Sequence, residues 1–279
     1  MRDVPQPTPG GGPAPKPAPG PGQPPIPVRL ACFNIHHGVG PDGRHDLPRL
    51  ASLLQSLDAD VLCLQEVDRH FGPRSEDVDQ ATLLARALDV QLAWGPAIDE
   101  PRPDGGPRKQ YGNALLSRLP ILVSDVHRLP GGGEPRCALR TLVELDGAAL
   151  WVTNTHLSTG APERRAAQVA AVAALHTEPM DTGVVVGDFN TVPDAPELAP
   201  LRERFTDAWD LARSRGDRSG WRFWHRDEGL TFPSRAPHRR IDHVWVSDGV
   251  AVTAAHVVGA AGASDHLPVV VDLEVRSGV

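Results

Sequence analysis

The stretch Thr182-Gly-Val-Val-Val-Gly-Asp-Phe-Asn190 is a short apolar run that ends abruptly in a carboxylate and an amide. Its length and its branched residues predict a buried strand, with Asp188 and Asn190 directly at the carboxyl end. The alternative is an Asx-rich turn, since Asp and Asn commonly bond their own backbone after a strand. The same pattern recurs along the chain, so we expect polar side chains to gather at one edge of a sheet.

Other apolar segments also end in residues that suit a metal ion or a phosphate. These terminal residues are Asn34, Glu66, His156, Asp242 and the pair Asp265-His266. Carboxylate, amide and water oxygens are the ligands that Mg²⁺ prefers, and a bound cation neutralises phosphate charge. Taken singly, each residue is more often a cap, a turn or a solvated strand end than a ligand. Their occurrence together is what indicates a site.

The remaining periodicity predicts a mixed α/β architecture. Apolar residues at helical spacing predict helices over 47–57, 80–88 and 162–175, and strand-like runs outnumber them. Because helical crossovers alternate with hairpin-like neighbours, the order favours a sandwich of mixed sheets over a doubly wound sheet. A short strand is expected over 91–93, followed by a loop over 95–106 that is rich in Pro, Gly and charge.

The amino-terminal 27 residues differ in composition from the rest of the chain. They are rich in proline and glycine and hold almost no large apolar side chain before Ile26. Such a segment cannot bury enough surface to offset the entropy of ordering, so we expect residues 1–27 to be a disordered arm with polyproline II character. Residues 28–279 are then expected to form one domain with a substantial core.

Composition narrows the function classes. Lys plus Arg number 28 against 35 Asp plus Glu, a formal charge of −7, which argues against a protein that holds long DNA mainly by neutralising phosphates. Three cysteines cannot all pair, and Cys32 and Cys63 lie in apolar strand-like runs, which fits a reducing compartment. No apolar run has the length of a signal peptide or a membrane span. We therefore expect a cytoplasmic protein without stable membrane insertion, and infer no obligate protein partner.

Seven short motifs occur in a fixed order over the predicted domain. They are Cys32-Phe-Asn-Ile35, Leu64-Gln-Glu-Val67, Gly112-Asn-Ala-Leu-Leu-Ser-Arg118, Thr155-His156, Gly187-Asp-Phe-Asn190, Arg240-Ile-Asp-His243 and Ser264-Asp-His-Leu-Pro268. This set resembles the endonuclease/exonuclease/phosphatase superfamily, and especially its small bacterial members. The resemblance implies a DNase I-like, four-layered α/β/β/α sandwich with two mixed sheets flanked by helices. It also implies a metal-dependent hydrolase of phosphodiesters or phosphomonoesters, a class that includes nucleases.

The resemblance assigns catalytic roles to five residues. Asp188 would orient or deprotonate the attacking water, and Asn190 would hold a phosphate oxygen. His266 and His156 would contact the phosphate. Asp242 would accept a hydrogen bond from His266 and thereby fix its tautomer. These roles fit an in-line attack, which needs a positioned water on one side and charge stabilisation on the other.

The resemblance also implies a bound Mg²⁺ or Mn²⁺ ion. Glu66 would be its principal ligand, with Asn34 beside it and Asp265 either on the ion or one water away. Members of the exonuclease III type carry an Asp two residues after the first Asn, where this chain has His36, so a second metal site on that carboxylate is not expected. The adjacent His36 and His37 could indicate transition-metal binding, but no second pair stands at a helical or Cys/His zinc spacing. Loop hydrogen bonding or substrate contact is therefore their expected role, with zinc binding as the minor alternative.

Three further residues are candidates for substrate binding. Tyr111 falls near a phosphate-contacting tyrosine of the family, although its spacing is one residue shorter and packing is the alternative. Asn113 lies in the same motif, and Arg136 is a cation that could line the cleft. An aromatic and basic cluster over 221–226 could stack on a base or a sugar, with packing against the sheet as the alternative.

The expected partner is a phosphate-ester substrate: a small phosphodiester, a nucleotide, a lipid head group or nucleic acid. One fold and one catalytic set serve all of these, so the sequence leaves the substrate open. One rival hypothesis is a non-catalytic module that binds a phosphorylated ligand, but it would be expected to lack one of Glu66, Asp188, Asp242 or His266, all of which are present. The other is an adaptor that docks through its Pro-rich arm, for which a flexible spacer is the simpler interpretation.

Overall fold

The structure is a computed structural model of the chain, and it describes residues 24–176, 182–214 and 228–276. Two six-stranded sheets form its centre, with strands numbered along the chain. The first sheet comprises β1 (Ile26–Asn34), β2 (Val61–Arg69), β3 (Gln91–Glu100), β4 (Lys109–Ser117), β11 (Val250–Val257) and β12 (Val269–Val275). The second comprises β5 (Ile121–Leu129), β6 (Arg136–Leu145), β7 (Ala148–His156), β8 (Gly183–Asp188), β9 (Thr206–Asp207) and β10 (Asp242–Val246). The strand orders are β11-β12-β1-β2-β4-β3 and β5-β6-β7-β8-β10-β9.

Five α-helices accompany the sheets in the described part of the chain. They are α1 (Leu47–Ser56), α2 (Gln80–Leu88), α3 (Pro162–Ala173), α4 (Ala199–Arg202) and α5 (Ala208–Ser214). The carboxylates of Asp46 and Asp79 cap the first two by accepting from backbone N–H groups three residues on, which satisfies donors that a helix start leaves unpaired. No helix among the described residues is long and apolar enough to cross a membrane.

Three apolar clusters hold the layers together. The largest fills the space between the sheets, where branched side chains from the inner faces interdigitate. A second packs α1 and α2 on the outer face of the first sheet, and a third packs α3 and α4 on the outer face of the second. The predicted four-layered α/β/β/α sandwich with two mixed sheets is therefore confirmed.

The two sheets share one topological feature that positions the site. Each contains a single parallel strand pair next to antiparallel ones: β1 with β2, connected through α1, and β7 with β8, connected through α3. The carboxyl ends of parallel strands meet at the same sheet edge, so Asn34 lies beside Gln65 and His156 lies beside Asp188. Both edges open on the same end of the sandwich.

The structure corrects two predicted boundaries. The first strand begins at Ile26, two residues before the predicted domain start, and pairs with Val275; residues 1–23 of the predicted arm lie outside the described residues. The expected loop over 95–106 is wrong in its first half, because β3 continues to Glu100. Pro96 is tolerated there since β3 is an edge strand, and a bulge follows between Pro96 and Ile98.

A buried polar link joins the sheets close to the site. Asn154 on β7 donates its amide to the carbonyls of Leu64 and Ala114 in the opposite sheet, at 3.0 and 2.9 Å. Its Oδ1 accepts from Gln65 Nε2 at 2.7 Å. Asn154 is wholly buried, so without its side chain three hydrogen bonds would be lost from the interior. This side chain fixes the relative position of the two strand ends that carry the site.

Replacing Asn154 with leucine is expected to destabilise the fold by about 2–4 kcal/mol, because the change removes three buried hydrogen bonds and places a branched apolar side chain among polar groups. Urea unfolding would measure this as a lower midpoint at an unchanged slope. Ser124→Ala on the exposed strand β5 serves as a control and should shift stability by less than about 0.5 kcal/mol. An equally small effect of Asn154→Leu would show that the link does not hold the sheets together.

Candidate active site

Three side chains lie side by side across adjacent strands of the second sheet. His156 ends β7 and pairs in register with Asp188, which ends β8. Asp242 begins the antiparallel strand β10 and pairs with Asp188 from the other side. All three are buried. The strand pairing thus brings together residues that are 86 positions apart in the chain, from His156 to Asp242.

His266 completes this row from the loop before β12. Its Nδ1 lies 2.9 Å from Asp242 Oδ2, and its Nε2 lies 3.7 Å from Asp188 Oδ2. Burial opposes a positive charge on His266, but the facing carboxylate of Asp242 and then that of Asp188 outweigh it and raise the pKa of His266 to about 10. Near neutral pH, His266 is therefore an imidazolium held between two carboxyl groups.

Asp188 is the centre of the arrangement. Its Oδ2 accepts from Asn34 Nδ2 at 3.1 Å and lies 3.5 Å from His156 Nε2, while its Oδ1 accepts from the backbone N–H of Asn190 at 2.8 Å. Complete burial raises the pKa of Asp188, with Asp242 acting in the same direction and His266 against it. A carboxylate with a raised pKa is suited to accept a proton.

His156 has the opposite electrostatic character to His266. Burial lowers the pKa of His156 to about 3, and the nearby Arg136 acts in the same direction. The ring is therefore neutral near pH 7, and it can contact a phosphate oxygen as a hydrogen-bond donor without adding charge. The two histidines differ in charge because burial and Arg136 prevail at His156, whereas the charge and the hydrogen bond of Asp242 prevail at His266.

Asn34 connects the row to the first sheet. Its Nδ2 donates both to Asp188 and to Glu66 Oε1, the latter at 3.0 Å, and its Oδ1 accepts from the backbone N–H of His36. The hydroxyl of Ser264 donates to the Asn34 carbonyl at 2.7 Å and accepts from His266 N–H. In this arrangement Asn34 turns its amide nitrogen, not its oxygen, toward Glu66, so its assignment as a metal ligand stays a prediction.

Glu66 is the half-buried carboxylate of the site. Burial works against its charge, yet the ring of His37, 3.9 Å away, and the amide of Asn34 hold the pKa of Glu66 well below its usual range. Its backbone is left-handed, at φ 56°, which is uncommon outside glycine and frequent at functional sites. Glu66 is thus an ionised carboxylate, and it lies at an irregularity inside β2, which continues to Arg69, rather than at the predicted strand end.

The structure brings two of the three substrate-binding candidates to the site. Tyr111 is buried, and burial and then the charge of Glu66 raise the pKa of Tyr111 well above its usual value. Arg136 starts β6 and pairs with Glu134. Asn113 is different: its amide donates to the Cys137 carbonyl between the sheets, and the side chain is 2% exposed. These contacts give Asn113 a structural role and do not support substrate contact.

Two other predicted residues lie at the rim. Asp265 faces His36, with Oδ1 3.7 Å from Nδ1, and does not join Glu66 in either of the two clusters of possible metal ligands found among the described residues. Asn190 has a left-handed backbone, at φ 53°, and donates one amide N–H to the Leu157 carbonyl. The predicted aromatic cluster over 221–226 lies outside the described residues.

The contacts of the histidine pair, His36 and His37, go beyond what the sequence predicts. His37 lies against Glu66, and its carbonyl accepts from the wholly buried Gln80 at 2.7 Å. The only signal in the sequence was the adjacency of His36 and His37 after the first strand. Nothing in a linear pattern shows that Gln80, on the second helix, fixes this turn.

Asp242→Asn is expected to lower kcat by about 10²–10³-fold, because it removes the charge that keeps His266 protonated and oriented. Steady-state kinetics would show the loss in kcat, with a smaller change in KM. Asp248→Asn, on the exposed turn at the other end of β10, is the matched control and should leave kcat unchanged. Equal kcat values for Asp242→Asn and wild type would contradict the role assigned to this pair.

Comparisons with known proteins agree with the fold. The model of the Endonuclease/Exonuclease/phosphatase family matches residues 31–266. Uncharacterized protein YbhP of Escherichia coli strain K12 is 29% identical over 259 residues, which span 86% of this chain and 93% of YbhP. An endonuclease/exonuclease/phosphatase from Beutenbergia cavernae has a TM-score of 0.71 at 28% identity, over 90% of this chain and 72% of that one. A mannosyl-6-phosphatase from Bacteroides thetaiotaomicron has a TM-score of 0.66 at 19% identity, over 88% and 99%, and shows likeness of fold alone.

Proposed function

Because the chain belongs to the endonuclease/exonuclease/phosphatase family, whose members are generally phosphoester hydrolases, we propose that it hydrolyses a phosphodiester or a phosphomonoester with the help of a divalent cation. The observation that carries the proposal is one continuous set of contacts. It runs from Glu66 through the amide of Asn34 to Asp188, with His156 and His266 on either side of Asp188. A cation site and a proton-accepting site are thus linked through a single side chain.

The proton chemistry follows from the state of each side chain. Asp188 orients the attacking water and accepts its proton, which its raised pKa favours. The imidazolium of His266 donates a hydrogen bond to a phosphoryl oxygen, where negative charge grows in the transition state. Neutral His156 donates to another phosphoryl oxygen. Asn190 uses the amide N–H that is not bonded to Leu157 for a third.

The residues at the edge of the first sheet fit a divalent cation. Glu66 supplies an ionised carboxylate as the principal ligand. Asn34, whose amide donates to Glu66, and Asp265, which faces His36 at the rim, are the further ligands of this proposal. Mg²⁺ or Mn²⁺ bound there would neutralise phosphate charge and polarise the phosphorus–oxygen bond. The charge of Glu66 acts on Tyr111, and the charge of Arg136 acts on His156. Tyr111 and Arg136 would therefore contact the phosphate or its substituent.

The substrate belongs to one of a few classes of phosphate ester. A small phosphodiester, a nucleotide, a lipid head group and nucleic acid all present the group that this site would cleave. The fold shared with a mannosyl-6-phosphatase adds sugar phosphates to the set.

The three buried cysteines form no disulfide, which supports a reducing, cytoplasmic location as part of the same proposal.

A panel of substrates tests the proposed function. Bis-p-nitrophenyl phosphate, p-nitrophenyl phosphate, a sugar 6-phosphate and plasmid DNA would be incubated with the full chain and Mg²⁺ or Mn²⁺, and with EDTA. We expect metal-dependent turnover of at least one ester, which ranks the substrate classes. Binding of phosphate esters without turnover of any of them would instead identify a non-catalytic binding module.

A further inference from the structure

The histidine pair forms a compact ligand set with the metal-binding carboxylate. His36, His37 and Glu66 each offer a ligand atom within 4.8 Å of the other two. Imidazole nitrogen suits first-row transition metals, whereas Mg²⁺ prefers oxygen alone and keeps several waters. A set of two imidazoles and one carboxylate therefore differs in its metal preference from an oxygen-only site.

The hydrogen bonding of His36 fixes which of its nitrogens is available. Its Nδ1 lies 3.0 Å from the carbonyl oxygen of Val39. A carbonyl only accepts, so Nδ1 carries the proton and the Nε2 lone pair remains for a ligand. Asp265 Oδ1 lies 3.7 Å from the same Nδ1 and reinforces this tautomer. Metal-bound histidines commonly have this pattern, with the second ring nitrogen bonded to a carbonyl or a carboxylate.

His37 presents a nitrogen that needs a partner. Its Nδ1 is shielded from solvent and has no hydrogen-bond partner among the described residues, and it lies 3.9 Å from Glu66 Oε2. That separation is too long for a hydrogen bond, and a buried unpaired nitrogen is unfavourable. A cation that bridges the imidazole of His37 and the carboxylate of Glu66 would satisfy both groups.

The backbone holds these ligands in place before any ion binds. His36, His37 and Glu66 all have left-handed φ angles, at 45°, 42° and 56°. The His36 N–H donates to Asn34 Oδ1 at 3.0 Å, and Gln80 donates to the His37 carbonyl at 2.7 Å. Since these bonds lock a conformation that L residues rarely adopt, the two rings are held against the carboxylate.

From this geometry we infer that His36, His37 and Glu66 form a two-histidine, one-carboxylate site that selects a transition-metal ion such as Co²⁺ or Zn²⁺ over Mg²⁺. The inference rests on the proposed function, which places a cation at Glu66, and deepens it by naming the class of metal. It favours the transition-metal alternative over the loop hydrogen bonding or substrate contact that the sequence predicts for the histidine pair. A site selective for Mg²⁺ would not need the two imidazole rings as ligands.

The test measures metal affinity rather than turnover. The full chain, stripped of metal, would be titrated calorimetrically with CoCl₂ and with MgCl₂. His36→Asn and His37→Asn are the informative variants, because asparagine tolerates the left-handed backbone that both positions need. His70→Asn is the matched control, since His70 is also left-handed, at φ 50°, and bonds to the Asp77 carbonyl away from the ligand set.

We expect each site variant to bind Co²⁺ at least about tenfold more weakly than wild type, with Mg²⁺ affinity changed by less than about threefold. The His70→Asn protein should match wild type for both ions. If neither His36→Asn nor His37→Asn weakens Co²⁺ binding, the inference is wrong. Where an asparagine variant fails to fold by circular dichroism, the corresponding glutamine variant takes its place.

A spectroscopic measurement on the wild-type chain provides a second test of the histidine ligands. Proton NMR of the Co²⁺-loaded protein should show exchangeable imidazole N–H signals far outside the diamagnetic range, and each site variant should lose one. Absence of such signals would overturn the inference.

Histidine-dependent Co²⁺ binding without turnover of any ester would refute the proposed function alone. Metal-dependent turnover with histidine-independent binding would refute the inference alone.

Discussion

Asp188→Asn is expected to lower kcat by about 10³-fold or more, the largest effect of any single substitution at this site. The amide cannot accept the proton of the attacking water, and positioned general bases contribute about 10²–10⁴-fold. The change also removes the charge that faces His266 and His156. Because burial already disfavours the Asp188 carboxylate, the neutral amide should not weaken the fold.

Single-turnover and steady-state kinetics would measure this loss, with thermal unfolding to confirm the fold. Asp272→Asn is the matched control, since Asp272 pairs with Arg29 on the first sheet and lies outside the row of catalytic side chains. Its kcat should equal that of wild type. Metal affinity should survive in Asp188→Asn, because the residue bonds to Asn34 and not to Glu66. A variant that keeps a tenth or more of the wild-type kcat would rule out Asp188 as the base.

Glu66→Gln is expected to weaken divalent-cation binding at least about tenfold and to lower turnover at fixed metal concentration by about 10²–10³-fold. The amide keeps the shape of the side chain but removes its charge, which is the ionised carboxylate of the metal site. Turnover should therefore recover in part as the metal concentration is raised. Recovery of this kind distinguishes a metal ligand from a residue that acts in the chemistry itself.

Calorimetric titration with Mn²⁺ and rates at increasing metal concentration would measure both effects. Glu144→Gln, near the far end of β6 from Arg136, is the control and should change neither. Bound metal should also raise the unfolding midpoint of wild type more than that of Glu66→Gln, because ligands stabilise the state that binds them. Equal Mn²⁺ affinity in the two proteins would show that the cation binds elsewhere.

The strand ends were predictable because they follow from local pattern. Buried apolar runs that stop at Asn34, His156 and Asp188 indicate both the strands and their polar ends, and parallel pairing then brings the ends together. The pairing of Asp242 with His266 was available only through the family resemblance. No periodicity relates a strand start to a loop 24 residues later.

The sequence does not predict which side chains contact each other across the sandwich, because these contacts depend on how the two sheets face each other. Asn113 belongs to a family motif, yet the second sheet approaches it and its amide holds the Cys137 carbonyl. Asn154 precedes His156 by two residues and carries no motif of its own, but it bonds across the sandwich. Alternation along β7 shows that such a residue faces inward without showing what it meets there.

The contacts of His37 depend on one backbone conformation. A left-handed turn after β1 places its ring against Glu66, and the clamp from Gln80 that holds the turn comes from a helix. Positive φ is uncommon outside glycine, and no local pattern predicts it at His36 and His37, so the sequence indicates only an ordinary loop there. Functional sites are where such local rules are most often broken.

The most direct test of the account is the rate at which the EDTA-treated chain hydrolyses its best ester before and after Mg²⁺ or Mn²⁺ is added back. The account predicts no turnover with EDTA, recovery on addition of metal, and no recovery in Asp188→Asn measured in parallel. Turnover that persists in EDTA, or that returns equally in the variant, would contradict a metal-dependent hydrolase built around Glu66 and Asp188.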